Sequence, residues 1–388
     1  MSNIVDNAAL YTVAVSEPSR AGGAPEDAKE LRHHRQDGKG FRNPWDSWKD
    51  PSILRILRVI LWRRLTGASP DTTPPTVPVH KPQFLTTRQT PQLRATWLGH
   101  ACYLVEFPSG LRVLFDPVFT KRCSPFSWLG PSRYTEMPCE IEHIPSIDAV
   151  IISHNHYDHM SHPTILKIRE LHPNASIFVP LGNRNWFTAC GIHNVTELDW
   201  WEECDMRLSS VVSESDTIIA RIGCLPCQHT SSRRLIDKNA TLWASWSVES
   251  GGKKVWFGGD TGYRAVPELP DDVDDYGEEH NYPHCPAFKQ IGDLRGPFDL
   301  GLIPIGAYNP RWFMSPMHAN PFDSVNIFLD TKCKRALGMH WGTWVLTGEP
   351  VLEPPQLLRV ALSRKNISEK GVFDVCDIGQ SQEIVAVN

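Results

Sequence analysis

The chain has 388 residues, of which 41% are hydrophobic and 21% charged, and its formal net charge is −5. This composition is typical of a globular protein with enough apolar material for a core, and the length allows two or three domains. No nucleic-acid partner is expected, because a polyanion would need a local basic patch on this acidic chain. Ten scattered cysteines in so long a chain favour reduced thiols over a disulfide framework, and the one close pair, Cys224 and Cys227, is interpreted as buried core thiols.

The first 40 residues are polar and show no periodicity, which predicts a disordered segment over residues 1–40. They lack an early positive charge followed by an apolar run, so no targeting signal is predicted and the protein is expected inside the cell. No stretch of about 18 apolar residues occurs in the sequence, so no membrane-spanning helix is predicted.

Residues 41–92 combine a dense apolar stretch with a Pro-rich arm. Ser52 is a candidate N-cap for a helix over residues 53–65, and Gly67 is a candidate for its end. Arginines at positions 55, 58, 63 and 64 make this helix basic as well as apolar. Two interpretations are open: a helix that lies on an anionic membrane, or a surface helix whose apolar side packs on the protein.

From about residue 93 the chain alternates short apolar strands with helical segments, and residues 93–388 are predicted to form one domain. Two apolar runs joined by Pro108-Ser109-Gly110 predict a hairpin. The runs "DAVIIS" and "SIFVP" are typical of strands covered on both faces, and "SHPTILKIRELHP" between them has helical spacing. This order predicts an α/β fold in which two sheets face each other with helices outside.

The stretch "SHNHYDH" follows the apolar run "AVIIS" and places His154, His156, Asp158 and His159 at a strand end. Loops at strand ends direct their side chains into a common crevice. Imidazole and carboxylate groups without cysteine indicate zinc, iron or manganese at a hydrolytic site. Four ligands are more than one catalytic metal with an open position needs, so the cluster predicts two metal ions that take further ligands from elsewhere.

Three later residues end apolar runs in the same way. His229 follows "IGCLPCQ", Asp260 follows "VWFGG", and His340 follows "RALGM". Taken singly, such a histidine is better explained as a hydrogen-bonded core or surface residue. The joint pattern, a HxHxDH run with three later strand ends, predicts a dinuclear metal centre.

Longer segments resemble a known family. "HNHYDH", "ELDWWEE", "FGGDTGY", "CPAFKQIG" and "GAYNPRWFM" are similar to segments of the N-acyl-phosphatidylethanolamine-hydrolysing phospholipase D family, within the metallo-β-lactamase fold superfamily. The resemblance runs from about residue 43 to about residue 355. It implies a metallo-β-lactamase αββα sandwich over residues 93–388 and a phospholipase D that hydrolyses N-acyl phosphatidylethanolamines to N-acylethanolamines and phosphatidic acid.

The resemblance also implies two Zn²⁺ ions per chain and a role for each site residue. It assigns His154, His156 and His229 to one ion, Asp158, His159 and His340 to the other, and Asp260 to a position between them. Catalytic roles are implied for Asp158, Asp260 and His318, of which His318 would contact the substrate phosphate or transfer a proton. The implied partners are a membrane phospholipid substrate, the cytosolic face of a membrane, and a second copy of the chain in a homodimer.

Several features leave alternatives open. "QHTSSRR" stands where the family has an aromatic residue after the metal histidine, and an acidic insertion over residues 264–284 is interpreted as a solvated loop. Asp116 is explained equally well as a support for the metal loop or as a turn residue, and His100 is a weaker candidate near the crevice. The alternative function is another hydrolase of the same fold, a lactonase or a phosphodiesterase that acts on a soluble substrate.

Overall fold

A computed structural model describes residues 11–51, 57, 58, 61, 69–212, 216–234, 236–270 and 273–385. Strands within these residues form two sheets. The eight-stranded sheet has the order β1 (Tyr11–Val15), β8 (Glu203–Ser210), β9 (Thr217–Leu225), β10 (Ser245–Ser250), β11 (Lys253–Phe257), β12 (Leu300–Pro304), β13 (Ala336–Met339) and β14 (Phe373–Asp374). The seven-stranded sheet has the order β15 (Ser381–Ile384), β2 (Leu93–Trp97), β3 (Tyr103–Glu106), β4 (Arg112–Phe115), β5 (Ala149–Ile151), β6 (Ser176–Pro180) and β7 (Val195–Leu198).

Each sheet is antiparallel at one end and parallel at the other. Pairing is antiparallel from β1 to β11 and from β15 to β4, and it is parallel from β11 to β14 and from β4 to β7. Parallel strands need crossover connections, which here are long enough to hold helices. The α-helices described over their full length are α1 (His162–Leu171), α2 (Arg184–Ala189), α3 (Ala287–Leu294), α4 (Arg311–Met314), α5 (Pro321–Asp330) and α6 (Glu353–Arg364).

The layers follow from which apolar side chains pack together. Trp97 of the smaller sheet and Trp246 and Trp256 of the larger sheet belong to one buried cluster, which is the core between the sheets. A second cluster joins Ile165 of α1 to Val150 of β5, so this helix covers the outer face of the smaller sheet. Helix α5 packs against β12 and against its neighbours α3 and α6. The fold is therefore the predicted αββα sandwich.

The strands expected to be covered on both faces are fully buried. Every residue of β5 and β6 is buried, as their continuous apolar runs predict. The predicted hairpin at Pro108-Ser109-Gly110 connects β3 to β4, and Gly110 supplies the left-handed conformation of the turn with φ +92°. A second turn, between β2 and β3, was not predicted: it contains Gly99 and His100, both with positive φ.

The predicted disordered segment over residues 1–40 is wrong for residues 11–40. Strand β1 pairs with β8 in a register that runs from Tyr11 with Ser210 to Val15 with Met206. Further along, the His33 ring stacks on Trp200 with centroids 4.4 Å apart. The prediction failed because β1 is an edge strand of five residues in which every second side chain is only partly buried. Such a strand has a weak apolar pattern.

The predicted helix over residues 53–65 lies outside the described residues, except for Leu57, Arg58 and Leu61, which are helical. Arg58 forms two hydrogen bonds to the carboxylate of Glu268, of 2.7 and 2.6 Å. Leu57 and Leu61 are four residues apart and are both 56% exposed. Among the described residues, no helix combines the length and the apolar character needed to cross a bilayer.

The acidic insertion is attached to the domain and is not simply a solvated loop. Arg264 is buried and contacts Asp275 within the insertion and Asp323 of α5, at 3.2 and 3.1 Å. The hydroxyl of Tyr276 donates to Asp323 at 2.5 Å, and the Tyr276 ring lies under the Arg264 guanidinium. The insertion is held in place because its acidic residues pair with arginine side chains. These pairs form through tertiary packing and cannot be predicted from the sequence pattern.

Candidate metal centre

Strand ends from both sheets bring the seven predicted metal ligands together. The run from His154 to His159 follows β5 of the smaller sheet. The others follow strands of the larger sheet: His229 after β9, Asp260 after β11 and His340 after β13. The site therefore lies in the crevice where the two sheets end, as open α/β sheets place their ligands.

Backbone conformation lets these residues reach the crevice. Gly259 precedes Asp260 with φ +58°, and a Cβ atom there would lie 2.7 Å from the Cβ of Ser153. The close approach of this turn to the metal loop therefore requires glycine. His340 has φ +63°, which lies in the left-handed region. This conformation is energetically unfavourable for a residue other than glycine, and proteins tend to retain it at functional sites.

Three histidines form the first group of donors. His156 Nδ1 lies 2.8 Å from His154 Nε2 and 3.3 Å from His229 Nε2, and the three nitrogens all lie within 4.8 Å of one another. His154 and His229 are buried, and burial lowers the pKa of both imidazoles well below the usual range, with neighbouring histidines adding to the shift for His154. Neutral imidazoles that converge in this way are suited to a transition-metal ion.

The second group contains Asp158, His159 and His340. Asp158 Oδ2 lies 3.4 Å from His159 Nε2 and 3.6 Å from His340 Nε2. Burial opposes ionisation of Asp158, but the charge of His159 and the hydrogen bond from His100 outweigh it and hold the pKa of that carboxyl well below its usual range. The carboxylate is therefore ionised, which is the form that binds a cation.

Asp260 lies between the two groups. Its Oδ2 atom is 3.0 Å from His340 Nε2 and 3.1 Å from His159 Nε2, and 3.9 and 3.7 Å from the Nε2 atoms of His154 and His229. Burial opposes its ionisation, but the charges of His159 and His340 lower the pKa of Asp260 well below the usual range. One carboxylate is thus in reach of both donor groups.

The donor atoms have few other partners, which is the test of whether a metal fits. The Nε2 atoms of His159 and His340 and the Oδ1 atom of Asp260 are buried and make no hydrogen bond within the described residues. The rings of His159 and His340 are close to the Asp260 carboxylate but do not direct an N–H bond at it. Buried polar atoms without partners are costly, whereas cations placed among them would satisfy all three.

Groups behind the donors fix their orientation. Asp116 Oδ2 accepts a hydrogen bond of 2.7 Å from His159 Nδ1 and one of 2.5 Å from the Ser153 hydroxyl. His229 Nδ1 donates to the Met317 carbonyl oxygen at 2.9 Å. These bonds leave the Nε2 atoms facing the crevice, which is how metal-binding histidines are normally oriented. Of the two explanations of Asp116, the structure selects the support for the metal loop.

His318 lies beside the centre on the turn between α4 and α5. Its Nδ1 atom is 4.0 Å from Asp260 Oδ2 and makes no hydrogen bond to the described residues. Its ring centroid is 5.0 Å from that of His229. Burial lowers the pKa of His318 to about 4, despite the opposing charge of Asp260. His318 is therefore a neutral imidazole with a free nitrogen next to the predicted shared carboxylate.

Two further residues were weakly signalled or missed. His100 Nε2 contacts Asp158 Oδ2 at 3.0 Å, so the weaker candidate does reach the site. Arg233 donates to the carbonyl oxygens of Asn155 and Met160, at 2.9 and 2.8 Å, and clamps the metal loop from outside. Gly99 before His100 was a usable signal, whereas the contacts of Arg233 depend on packing that no spacing reveals.

Comparison with known proteins gives this geometry a family. Residues 111–341 match the β-lactamase superfamily domain. The chain is 35% identical, over 92% of its length and 95% of the relative's, to the N-acyl-phosphatidylethanolamine-hydrolyzing phospholipase D 1 of Caenorhabditis elegans. It belongs to the N-acyl-phosphatidylethanolamine-hydrolysing phospholipase D family. The resemblance found in the sequence is thereby confirmed.

A second relative and a solved structure also match the chain. The mitochondrial N-acyl-phosphatidylethanolamine-hydrolyzing phospholipase D of Saccharomyces cerevisiae is 34% identical over 68% of this chain and 51% of its own length. The isothiocyanate hydrolase from Delia radicum gut bacteria has a TM-score of 0.50 and 15% sequence identity, over 76% of this chain and 100% of the other. This last likeness shows the fold alone, which other hydrolases share.

Proposed function

We propose that this protein is a zinc-dependent phospholipase D that hydrolyses N-acyl phosphatidylethanolamines to N-acylethanolamines and phosphatidic acid. The observation that carries the proposal is the arrangement of six histidine and aspartate donors around Asp260. This arrangement occurs in a chain that aligns with nearly the whole length of a relative named as an N-acyl-phosphatidylethanolamine-hydrolyzing phospholipase D.

Two zinc ions fit the donor set. His154, His156 and His229 would hold one ion, Asp158, His159 and His340 the other, and Asp260 would be shared. When bound, the ions supply positive charge against the phosphate oxygens of the substrate and acidify a water molecule. Imidazole and carboxylate ligands without a thiolate suit zinc at a hydrolytic site, although the same ligands also bind iron and manganese.

The residues of the chain then have separate tasks. Asp116 and Ser153 hold the metal loop, and His100 orients Asp158 from the opposite side. The free Nδ1 atom of His318 is placed to bond a phosphate oxygen or to exchange a proton with the leaving alcohol. In the reaction, the oxygen of water bonds to phosphorus, the bond from phosphorus to the ethanolamine oxygen breaks, and the alcohol takes up a proton.

The substrate's acyl chains place this enzyme at a membrane surface. Leu57 and Leu61 share a helix face, and both are exposed. Arg58 from the same helix is tied to Glu268 and lies 5.1 Å from the centroid of the Trp312 ring, in α4 near His318. These contacts support a peripheral attachment in which the helix lies against the lipid and remains joined to the catalytic domain.

A substrate panel tests the proposal. The zinc-loaded chain is incubated with N-acyl phosphatidylethanolamine in detergent micelles, with an acyl lactone and with a soluble phosphodiester, and the products are identified by mass spectrometry. We expect N-acylethanolamine and phosphatidic acid from the lipid. We also expect Asp260→Asn to lose at least about 10³-fold in rate, because it removes a charge shared by both sites. Efficient hydrolysis of the lactone with the lipid untouched would move the function to the soluble-substrate alternative.

A further inference from the structure

The loop at residues 123–130, which we call the aromatic loop, exposes apolar side chains beside the metal centre. Trp128 is 72% exposed, Leu129 53% and Phe126 50%. The rings of Phe126 and Trp128 lie 5.6 Å apart. Of the Phe and Trp side chains that the structure describes, only these two are exposed. A contiguous apolar surface of this kind marks an interaction site.

The aromatic loop is held at its base. Arg122 donates to the carbonyl oxygen of Gly130 and also forms an isolated bridge with Ser132. Cys123 belongs to a small buried cluster with Val118 and Trp344. The exposed side chains therefore stand on a closed and preformed loop, so that contact with a partner costs little ordering entropy.

The loop lies at the edge of the metal crevice. A cleft of about 430 Å³ is lined on one side by Phe126 and its neighbours and on the other by Tyr157, His162 and Arg233. Tyr157 is part of the metal loop itself, between His156 and Asp158. At the base of the loop, Trp344 contacts His100 with ring centroids 4.9 Å apart. A partner that binds the aromatic loop would therefore lie next to the metal crevice.

The charges around the loop favour a lipid surface as the partner. Residues 117–135 contain Lys121, Arg122 and Arg133 but no acidic residue, in a chain whose net charge is −5. Lys121 is exposed directly before the apolar tip. Arg122 and Arg133 bond backbone carbonyl oxygens, so Lys121 is the cation left to meet lipid phosphate. Tryptophan, phenylalanine and leucine at a tip with this lysine behind them match the order of layers at a bilayer surface, where apolar groups enter and cations meet phosphate.

We infer that the aromatic loop is a membrane-docking element, by which Phe126, Trp128 and Leu129 enter the interface of a phospholipid bilayer. The choice of a bilayer as partner rests on the proposed function, whose substrate lies in a membrane. Docking at this loop turns the cleft and the metal crevice towards the headgroups. It also supplies a second point of attachment besides the helix of Leu57 and Leu61.

Flotation of the full chain with vesicles tests this inference. The vesicles contain phosphatidylcholine and phosphatidylglycerol and no N-acylated lipid, so the result does not depend on hydrolysis. We expect F126S/W128S/L129S to lower the partition into vesicles about tenfold or more, and W128S alone to lower it less, because each change removes apolar area from the interface. K121E should weaken binding to these vesicles but not to vesicles of phosphatidylcholine alone, since it reverses a charge that faces anionic lipid.

The matched control changes equally exposed apolar residues at the far end of the fold. Val211 and Val212 are 58% and 75% exposed and lie before β9, whose other end leads to His229. V211S/V212S should bind vesicles like the wild type, and all variants should keep the metal content and the thermal unfolding midpoint of the wild type. Unchanged vesicle binding by F126S/W128S/L129S would overturn the inference, as would a loss of self-association in light scattering without a loss of vesicle binding. Failure to hydrolyse N-acyl phosphatidylethanolamine in micelles would instead affect the proposed function alone.

Discussion

Asp116 shows how a buried residue outside the predicted ligand set can control the site. It is fully buried, and it accepts hydrogen bonds from His159 and from both the backbone and the hydroxyl of Ser153. Burial raises the pKa of the Asp116 carboxyl, and the bonds from His159 and Ser153 oppose that rise. The carboxylate thus keeps the proton on His159 Nδ1 and leaves Nε2 free to bind a metal.

We predict that Asp116→Asn lowers the affinity for zinc at the second site about 10–100-fold, as the loss of such outer partners does in metal sites. The amide cannot accept strongly from both His159 and Ser153, so the imidazole loses its fixed orientation. Competition with a chelator, monitored by zinc release, measures the effect. Asp205→Asn is the control, because Asp205 is an exposed carboxylate paired with Arg221 on the surface; equal affinities in the two variants would contradict the role of Asp116.

His318 is predicted to act on the substrate and to contribute little to metal binding. His318→Gln should keep two zinc ions per chain and lower kcat about 10²–10⁴-fold, the range expected for loss of a proton-transferring group. His340→Ala is the matched change at a predicted ligand, and it should lose zinc as well as activity. Metal analysis beside steady-state kinetics separates the two variants. Loss of zinc from His318→Gln would make His318 a ligand and not a catalytic residue.

The sequence predicted the site residues that directly follow strands. It did not settle the roles of the residues that form hydrogen bonds to them from behind. His229, Asp260 and His340 each follow an apolar run, and that position is visible in the sequence. The roles of Asp116 and His100 were left open because their partners are chosen by how two sheets pack. Proximity across a sandwich is a tertiary property that local spacing does not encode.

Among the elements, the N-terminal segment departs most from prediction. We predict that deleting residues 1–40 lowers the unfolding midpoint by about 5 °C or more, because the chain loses the β1–β8 ladder and the stack of His33 on Trp200. Differential scanning calorimetry measures the midpoint. Deletion of residues 1–10 is the control, since it removes none of the described contacts. A segment that is disordered, as its composition suggested, would give the same midpoint in both deletions.

The attachment of this segment should depend on pH. Asp199 accepts from His33 and His34 at 2.7 and 2.8 Å, and Arg20 lies 3.4 Å away. Burial lowers the pKa of His33, although Asp199 opposes the shift. Burial would raise the pKa of Asp199, but the two histidines outweigh it and lower that pKa.

The sign of the pH effect follows from these directions. Both folded-state pKa values lie below the unfolded values, so the unfolded chain binds more protons in acid and stability falls with falling pH. The contribution of His33 to the free energy of unfolding is fully present above about pH 6.5, the pKa of this imidazole in the unfolded chain. It is lost as the pH drops towards the lower pKa of His33 in the folded protein. We therefore predict a steeper fall of the unfolding midpoint below about pH 6.5 in the wild type than in His33→Gln. Parallel curves for the two proteins would contradict the contribution of His33.

Other elements were predicted where the pattern is long or strongly apolar. Strands β5 and β6 and helix α1 lie where their apolar runs and helical spacing placed them. The turn at Gly99 and His100 was missed because the apolar run continues through it, so one strand was expected where β2 and β3 are two. Glycine gave the only local sign of this turn.

At the scale of the whole molecule, the candidate site belongs to neither sheet alone. The smaller sheet supplies the run from His154 to His159, and the larger sheet supplies His229, Asp260 and His340. The site therefore forms only when the two sheets are packed, and ions that bound there would stabilise the folded sandwich. The aromatic loop and the helix of Leu57 and Leu61 expose apolar side chains at the surface, where the proposed substrate would reach the protein.

The reaction that we propose for this centre is hydrolysis of a phosphodiester of a membrane lipid by attack of water at phosphorus. The most direct measurement is hydrolysis of N-acyl phosphatidylethanolamine in ¹⁸O-labelled water, with both products analysed by mass spectrometry. We predict ¹⁸O in phosphatidic acid and none in N-acylethanolamine, and no product from Asp260→Asn. Label in N-acylethanolamine would place the attack at carbon, and an unchanged lipid with two zinc ions bound would contradict the phospholipase assignment itself.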